Sequence, residues 1–463
     1  MARRAVLAVC ALTASQATAI NAASASFLPR AMLAADVLVT CHFAPLVGLF
    51  DDLVWQSGST LETLSDVMAL AGAAAPARWA AVPAAMFRAL PVVVDNCFDD
   101  HQWFLLAWAR AYEVTGNASF VSRAAQIFDF VAQNGWDEKI CGGGVTWCPP
   151  PTSPYKNAIT VELFISSAMA LAPYEAQLGR APGFYVGWAA KAWRWLEGSG
   201  MLNAAGLFND GLNGATCLNN GQTTWTYNQG VVLSGLAHLS AATGNATILA
   251  TARRVARAAM AQLSLDGILT EPCGGGSCGG DGSNFKGTFV RHLAKLAAAD
   301  AAIAPEAAAF LGAQAAAVVA SGGCGAGRYG FRWDGPCDLV DTATTVAALD
   351  ALAAAARARA PPPPAQWAPL GLGNCADAAG AAMANCFSDK VLDERACRDA
   401  AWTTPGAVAY DHSSDCTGGV FCRIRTLAGP TACAGGWGFA NGTATSVVAT
   451  VDAERALCVV RVV

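Results

Sequence analysis

Leu105-Leu-Ala-Trp-Ala-Arg-Ala-Tyr-Glu-Val-Thr-Gly-Asn-Ala-Ser-Phe-Val-Ser-Arg-Ala-Ala-Gln-Ile-Phe-Asp-Phe-Val-Ala132 reads as two helices and a turn. Leu105 to Glu113 keeps an amphipathic 3.6-residue rhythm, Thr115-Gly-Asn-Ala-Ser119 interrupts it, and Phe120 to Ala132 resumes it. The same phrase returns downstream as Val231 to Ala241, Thr243-Gly-Asn-Ala-Thr247 and Ile248 to Gln262. A repeat in both pattern and punctuation marks a chain of helical hairpins.

A second phrase also recurs. Trp55-Gln-Ser-Gly-Ser-Thr-Leu-Glu62, Tyr155-Lys-Asn-Ala-Ile-Thr-Val-Glu162 and Thr226-Tyr-Asn-Gln-Gly-Val-Val-Leu233 each follow a glycine-rich, aromatic loop and lead into a helix. Asp341-Thr-Ala-Thr-Thr-Val-Ala-Ala-Leu349 opens the last helix in the same way. Loops that each end in a polar residue at a helix start would gather at one end of a toroid, so a double ring of helices is expected. Strand-like alternation is scarce before residue 360.

The helical pattern fades into Pro361-Pro-Pro-Pro364, a stiff spacer. Beyond it the chain becomes cysteine-dense, with short β-like runs such as Gly406-Ala-Val-Ala-Tyr410 and Val420-Phe-Cys-Arg-Ile-Arg425. The expected organisation is a signal peptide over 1–25, a helical domain over 26–358, a Pro-rich linker over 359–370 and a small disulfide-rich, β-containing accessory module over 371–463. At 463 residues the chain exceeds the ~250–300 at which a single core stops growing.

Chemistry concentrates at Cys97-Phe-Asp-Asp-His-Gln-Trp-Phe104, where Asp99 and Asp100 open an aromatic-rich helix. A retaining glycosidase needs two carboxyl groups about 5–5.5 Å apart. Neighbours on one helical turn can diverge by that much while facing one cleft. Capping is the competing reading, because Asp is favoured at helix starts. Asp51-Asp52 is a second acidic pair without such a helix, and serves as the control.

Six further segments supply the missing context: Trp55 to Glu62, Asn134-Gly-Trp-Asp with Cys141-Gly-Gly-Gly-Val-Thr-Trp147, Tyr155 to Phe164, Asn209-Asp-Gly-Leu212, Thr224-Trp-Thr-Tyr-Asn-Gln-Gly230 and Phe285-Lys-Gly-Thr-Phe-Val-Arg291. Together with Asp99-Asp100, and in this order, they resemble glycoside hydrolase family 76, the endo-α-1,6-mannanases and their fungal cell-wall relatives, over residues of about 30–358. The resemblance implies an all-α (α/α)6 barrel, Asp99 as nucleophile, Asp100 as acid/base, and a mannose-containing polysaccharide or oligosaccharide as substrate. Trp103 on the same helix is a candidate shield or stacking ring, whereas Trp108 lies deeper and reads as core. The tail pattern around Ala396-Cys-Arg-Asp-Ala400 resembles apple or WSC-type modules, which bind glycan or protein.

Asn157, Asp210, Asn219, Asn220, Tyr227, Asn228 and Gln229 are candidates for bonding mannose hydroxyls, with Trp225 as a stacking platform. The alternative for the Asn and Asp side chains is that they satisfy their own turns. Lys286 and Arg291 read as sugar-binding cations or, the favoured alternative, as partners for acids. No cofactor motif appears, and His42, His101, His238, His292 and His412 show no metal spacing; His101 stands beside the acidic pair. A net charge of −5 without basic runs argues against nucleic acid and anionic membranes.

The basic start and short apolar run of Met1 to Thr13 predict a secreted, extracellular protein. No membrane span is expected, and a monomer is. Of seventeen cysteines, Cys10 falls in the leader. The remaining even number suits disulfides, with Cys141–Cys148 and Cys273–Cys278 as short-loop clips. Sequons stand at Asn117, Asn245 and Asn441. Three functional classes compete: a mannan hydrolase, a cell-wall transglycosylase, and a non-catalytic glycan binder, against which the intact acidic pair argues.

Overall fold

The computed structural model describes residues 27–359 apart from loop positions 95–96, 150–154, 274–277, 279, 322–323 and 326, and eight strands between 367 and 461. The signal-peptide reading and the Pro361–Pro364 spacer lie outside the described residues. The chain forms two compact units, Met1–Arg359 and Ala360–Val463.

In the first unit, the helices alternate between two layers. One layer holds α1 (Phe27–Val37), α3 (Ala77–Ala89), α5 (Ala118–Asn134), α7 (Phe184–Gly198), α9 (Ala246–Gln262) and α11 (Ala304–Ala320). The other holds α2 (Val54–Ala71), α4 (Phe98–Thr115), α6 (Ala158–Leu171), α8 (Thr226–Thr243), α10 (Gly282–Ala299) and α12 (Thr342–Arg359). Helices of this second layer are buried nearly all round, so their polar residues are interior. Helices α5 and α9 bury only one apolar face. The inner helices pack in sequence, α2 on α4, α4 on α6, α6 on α8, α8 on α10 and α10 on α12, and α12 also packs against α2.

Local chemistry explains the repeated Thr-Gly-Asn phrase. Gly116 and Gly244 end α4 and α8 in the left-handed region, with φ of +70° and +68°, where a glycine carries no Cβ penalty. Asn117 and Asn245 then cap α5 and α9, their side-chain oxygens accepting from the N–H groups of Ser119 and Thr247 at 3.1 and 3.0 Å. The phrase therefore stops one helix and starts the next within three residues.

Close contact between inner helices also needs small residues. A Cβ on Gly230 of α8 would lie 2.5 Å from the Cα of Phe289 of α10. Among the described residues of this unit, strands are limited to two short hairpins, β1 (Phe43–Ala44) with β2 (Leu49–Phe50), and β3 (Ser264–Leu265) with β4 (Ile268–Leu269), beside isolated bridges such as Asn157–Gly211 and Trp136–Val145. No helix among the described residues is long and apolar enough to cross a membrane.

The cysteine pairing corrects one expectation. Cys141 is bonded to Cys217 and Cys148 to Cys97, so the 141–148 clip does not form; Cys273–Cys278 does. Cys324 pairs with Cys337, and Cys41 is also disulfide-bonded.

The second unit contributes strands β5 (Trp367–Leu372), β6 (Asn374–Ala376), β7 (Ala384–Ser388), β8 (Ala407–Ser414), β9 (Val420–Thr426), β10 (Gly438–Ala440), β11 (Ala449–Val451) and β12 (Ala456–Arg461). Six form one antiparallel sheet in the order β10-β7-β9-β8-β12-β5, and β11 pairs with β6. Strand β5 begins inside the segment expected to be linker.

Candidate active site

The N-terminal ends of five inner helices, with the loops that lead into them, enclose a cavity of about 320 Å³. Trp55 comes from α2, and Asp99, Asp100 and Trp103 from α4. Trp147 and Tyr155 come from the loop before α6, whose cap is Asn157. Asp210 lies in the loop before α8, Tyr227 in its first turn, Asp281 caps α10, and Phe285 follows it.

Asp99 and Asp100 occupy the first turn of α4, where the helix dipole favours negative charge. The disulfide Cys97–Cys148 ties this turn to the Trp147 loop, and the Phe98 N–H donates to the Trp147 carbonyl at 2.7 Å. The Trp147 indole N–H donates to Asp99 Oδ2 at 3.0 Å, while Asp99 Oδ1 is shut off from solvent without a hydrogen-bond partner. Burial raises the Asp99 carboxyl to about 7, the Trp147 bond works against the rise, and the charge of Asp281 adds to it. Oxygens of Asp99 and Asp100 lie within 4.8 Å of each other, together with the Cys97 sulfur, which is consumed in its disulfide.

Two further carboxylates flank this pair, each fixed by aromatic residues. Asp210 accepts from the Tyr155 hydroxyl, which in turn accepts from Asn220 at 2.8 Å; burial raises Asp210 above the ordinary range. Asp281 accepts at Oδ1 from the indole of Trp55 at 2.8 Å and from Gln56 at 3.0 Å. Trp55 packs against Trp103 with ring centroids 5.3 Å apart, and Tyr227 stacks on Phe285 at 3.8 Å.

The structure brings Asp99, Asp100, Trp103, Asn157, Asp210 and Tyr227 of the sequence candidates together. Trp225 is not in the lining; it packs edge-on to Phe285, and its side chain lies near enough to Asp210 to oppose the rise of that carboxyl. Asn219 bonds Asn209 and the Gly200 carbonyl, and Asn220 supports Tyr155 and its own turn. Gln229 is buried as a clamp on the backbone of Phe208, accepting its N–H and donating to its carbonyl. Asn228 is fully buried within α8. These four are not among the residues that line the cavity. Asn157 does both jobs, lining the cavity and capping α6 through Thr160.

Arg291 pairs with Asp350 and Glu62 inside the ring, and Lys286 donates to the Phe331 carbonyl, as partners for interior acceptors. His101 faces the Cys97 carbonyl and the Phe130 ring. The control pair is solvent-exposed: Asp51 bonds His42 and Thr342, and both residues sit in a left-handed turn. Trp55, Trp147, Tyr155, Asp281 and Phe285 were not singled out from the sequence. All but Asp281 lie inside the quoted motifs, the one signal that could have found them.

The family model described as glycosyl hydrolase family 76 matches residues 44–366. Mannan endo-1,6-alpha-mannosidase DCW1 of Saccharomyces cerevisiae is 29% identical over 228 residues, 46% of this chain and 49% of that protein. The putative mannan endo-1,6-alpha-mannosidase C1198.07c of Schizosaccharomyces pombe is 29% identical over 255 residues, 51% and 55% of the two chains. The chain thus spans about half the length of the curated relatives it matches. Among solved structures, an inactive variant of the alpha-1,6-mannanase GH76A of Salegentibacter sp. HEL1_6, with two consecutive aspartates replaced by alanine and alpha-1,6-mannotetrose bound, superposes with a TM-score of 0.62 at 22% identity. That match covers 72% of this chain and all of the other. Dfg5 from Chaetomium thermophilum, in complex with glucosamine, gives 0.58 at 22%, covering 67% and 82%. With the family model matched over well more than half of its length, the chain belongs to glycosyl hydrolase family 76.

Proposed function

We propose that the protein is a secreted retaining glycoside hydrolase that cleaves α-1,6-linked mannan, on a closed (α/α)6 barrel, with Asp99 as nucleophile and Asp100 as acid/base. One observation carries the reading. Two consecutive carboxylates with oxygens within 4.8 Å share an aromatic-walled cavity at the helix N-termini. Inverting enzymes hold their carboxyls ~6.5–9.5 Å apart to admit water, and consecutive residues on one turn are too close for that. Asp99 attacks the anomeric carbon with its carboxylate, which Trp147 holds at Oδ2, while Asp100 protonates the leaving oxygen. Water then releases the glycosyl-enzyme with Asp100 as base. The substrate class rests on the mannan-acting relatives and on the mannotetrose named with the structural neighbour.

Hydrolysis of an α-1,6-mannotetraose followed by NMR tests the mechanism. The α-anomer should appear first, and initial β-mannose would overturn retention.

The raised carboxyl of Asp99 favours a second reading, with the two roles exchanged, since an acid must hold its proton near neutrality. The side of the pH profile separates the two. A nucleophile with a value of about 7 makes kcat/KM fall below that pH, and an acid makes it fall above. Azide rescue gives the same answer by stereochemistry. Asp99→Ala with azide and an activated α-mannoside should yield the β-azide, and Asp100→Ala the α-azide.

A further inference from the structure

We propose that Trp55 and Asp281 together form a sugar-binding subsite of the cleft, in which the Trp55 ring takes the apolar face of a hexose and Asp281 Oδ2 accepts a bond from its hydroxyls. The inference rests on the glycan-cleaving reading above and adds a wall of the site that the acidic pair does not supply. Trp55 opens α2 and Asp281 caps α10, so the two residues come from chain segments far apart and meet only in the fold.

Asp281 Oδ1 is occupied by two donors, the Trp55 indole at 2.8 Å and the Gln56 amide at 3.0 Å. Oδ2 has no donor among the described residues, in a side chain that lines the cavity. The carboxylate is thereby fixed in orientation with one oxygen left to a ligand, which spares the ligand the cost of ordering it. The same bond fixes the indole, which also packs against the rings of Trp103 and Phe285, with centroids 5.3 and 6.2 Å away. An immobilised aromatic plane with a carboxylate at its edge suits a pyranose, which presents one C–H face and a rim of hydroxyls. The resulting contact is charge-assisted, worth roughly twice a neutral one.

The test uses the full chain carrying Asp99→Asn and Asp100→Asn, titrated calorimetrically with α-1,6-mannotetraose. Adding Asp281→Ala should weaken binding at least about tenfold, as expected for the loss of a hydrogen bond to a charged group. Adding Trp55→Phe keeps the ring and drops the bond to Asp281, and should weaken binding less than Trp55→Ala. Unchanged affinity in a folded Asp281→Ala chain, or equal losses for the two Trp55 variants, would overturn the subsite. Failure of the parent double variant to bind the tetraose would overturn the mannan reading itself, and the two failures are thus distinguishable.

Discussion

At Asp99 the ordinary carboxyl value of 3.8 is displaced to about 7, chiefly by burial. The folded value lies above the unfolded one, so the stability this group contributes is complete below about pH 4 and is lost as pH rises through about 7. An asparagine at that position carries no charge to bury. Asp99→Asn should therefore melt above the parent by a margin that opens between pH 4 and 7 and is constant beyond, while turnover is abolished. Thermal unfolding at several pH values checks this, and a margin independent of pH would refute it. The same charge is what chemistry needs, so the gain in stability is bought with activity. Legibility at this scale was uneven. Asp99 and Asp100 stood out because two adjacent acids opened an aromatic helix. Asp281 did not, because its role depends on Trp55, more than two hundred positions away, and local sequence cannot display that pairing. Asn219, Asn220 and Gln229 read as hydroxyl binders and here bond turns or backbone, because the side chain that bonds a sugar equally bonds a turn or a backbone clamp.

Helices were legible for a physical reason, since their stops and starts are written in local chemistry: left-handed glycine, then capping asparagine. What the pattern could not express was how close the inner helices come. Gly230 allows α8 to touch α10, with the position of an added Cβ only 2.5 Å from a backbone carbon. Gly187, in the outer helix α7, has nothing within 4 Å of that position. Gly230→Ala should destabilise by about 1–3 kcal/mol through overpacking, whereas Gly187→Ala should be neutral or stabilise by up to about 1 kcal/mol through helix propensity. Denaturant unfolding of the two variants separates close approach from propensity. Similar effects in both would mean that α8 and α10 are not in backbone contact. The disulfides show the same limit. Short spacing favoured Cys141–Cys148, yet the loops before α4, α6 and α8 converge and bring Cys217 to Cys141 and Cys97 to Cys148. Connectivity follows the fold and cannot be deduced from spacing alone.

Across the whole first unit, charge joins the first inner helix to the last two. Part-exposed Arg357 of α12 bonds Asp66 of α2 at 2.6 Å, and buried Arg291 of α10 bonds buried Asp350 of α12 at 2.8 Å. Arg291 also faces Glu62 of α2. Arg291→Met would leave buried Asp350 without its cation and Glu62 with Lys295 alone, and breaking a buried pair typically costs about 3–5 kcal/mol; denaturant unfolding measures it. These ion pairs link the first inner helix to the last two before Arg359, where the sequence pattern had already ended its last helical phrase. All residues that line the cavity precede Arg359 as well. A chain ending at Arg359 should therefore keep its kcat/KM on α-1,6-mannotriose, while losing affinity for polymeric mannan if the strand-rich unit binds glycan. Because Cys41 is disulfide-bonded, thiol titration accompanies the assay, so that an exposed cysteine is not mistaken for a lost catalytic part. A folded, fully oxidised chain of this length that fails to cleave the trisaccharide would place an indispensable part of the machinery in Ala360–Val463.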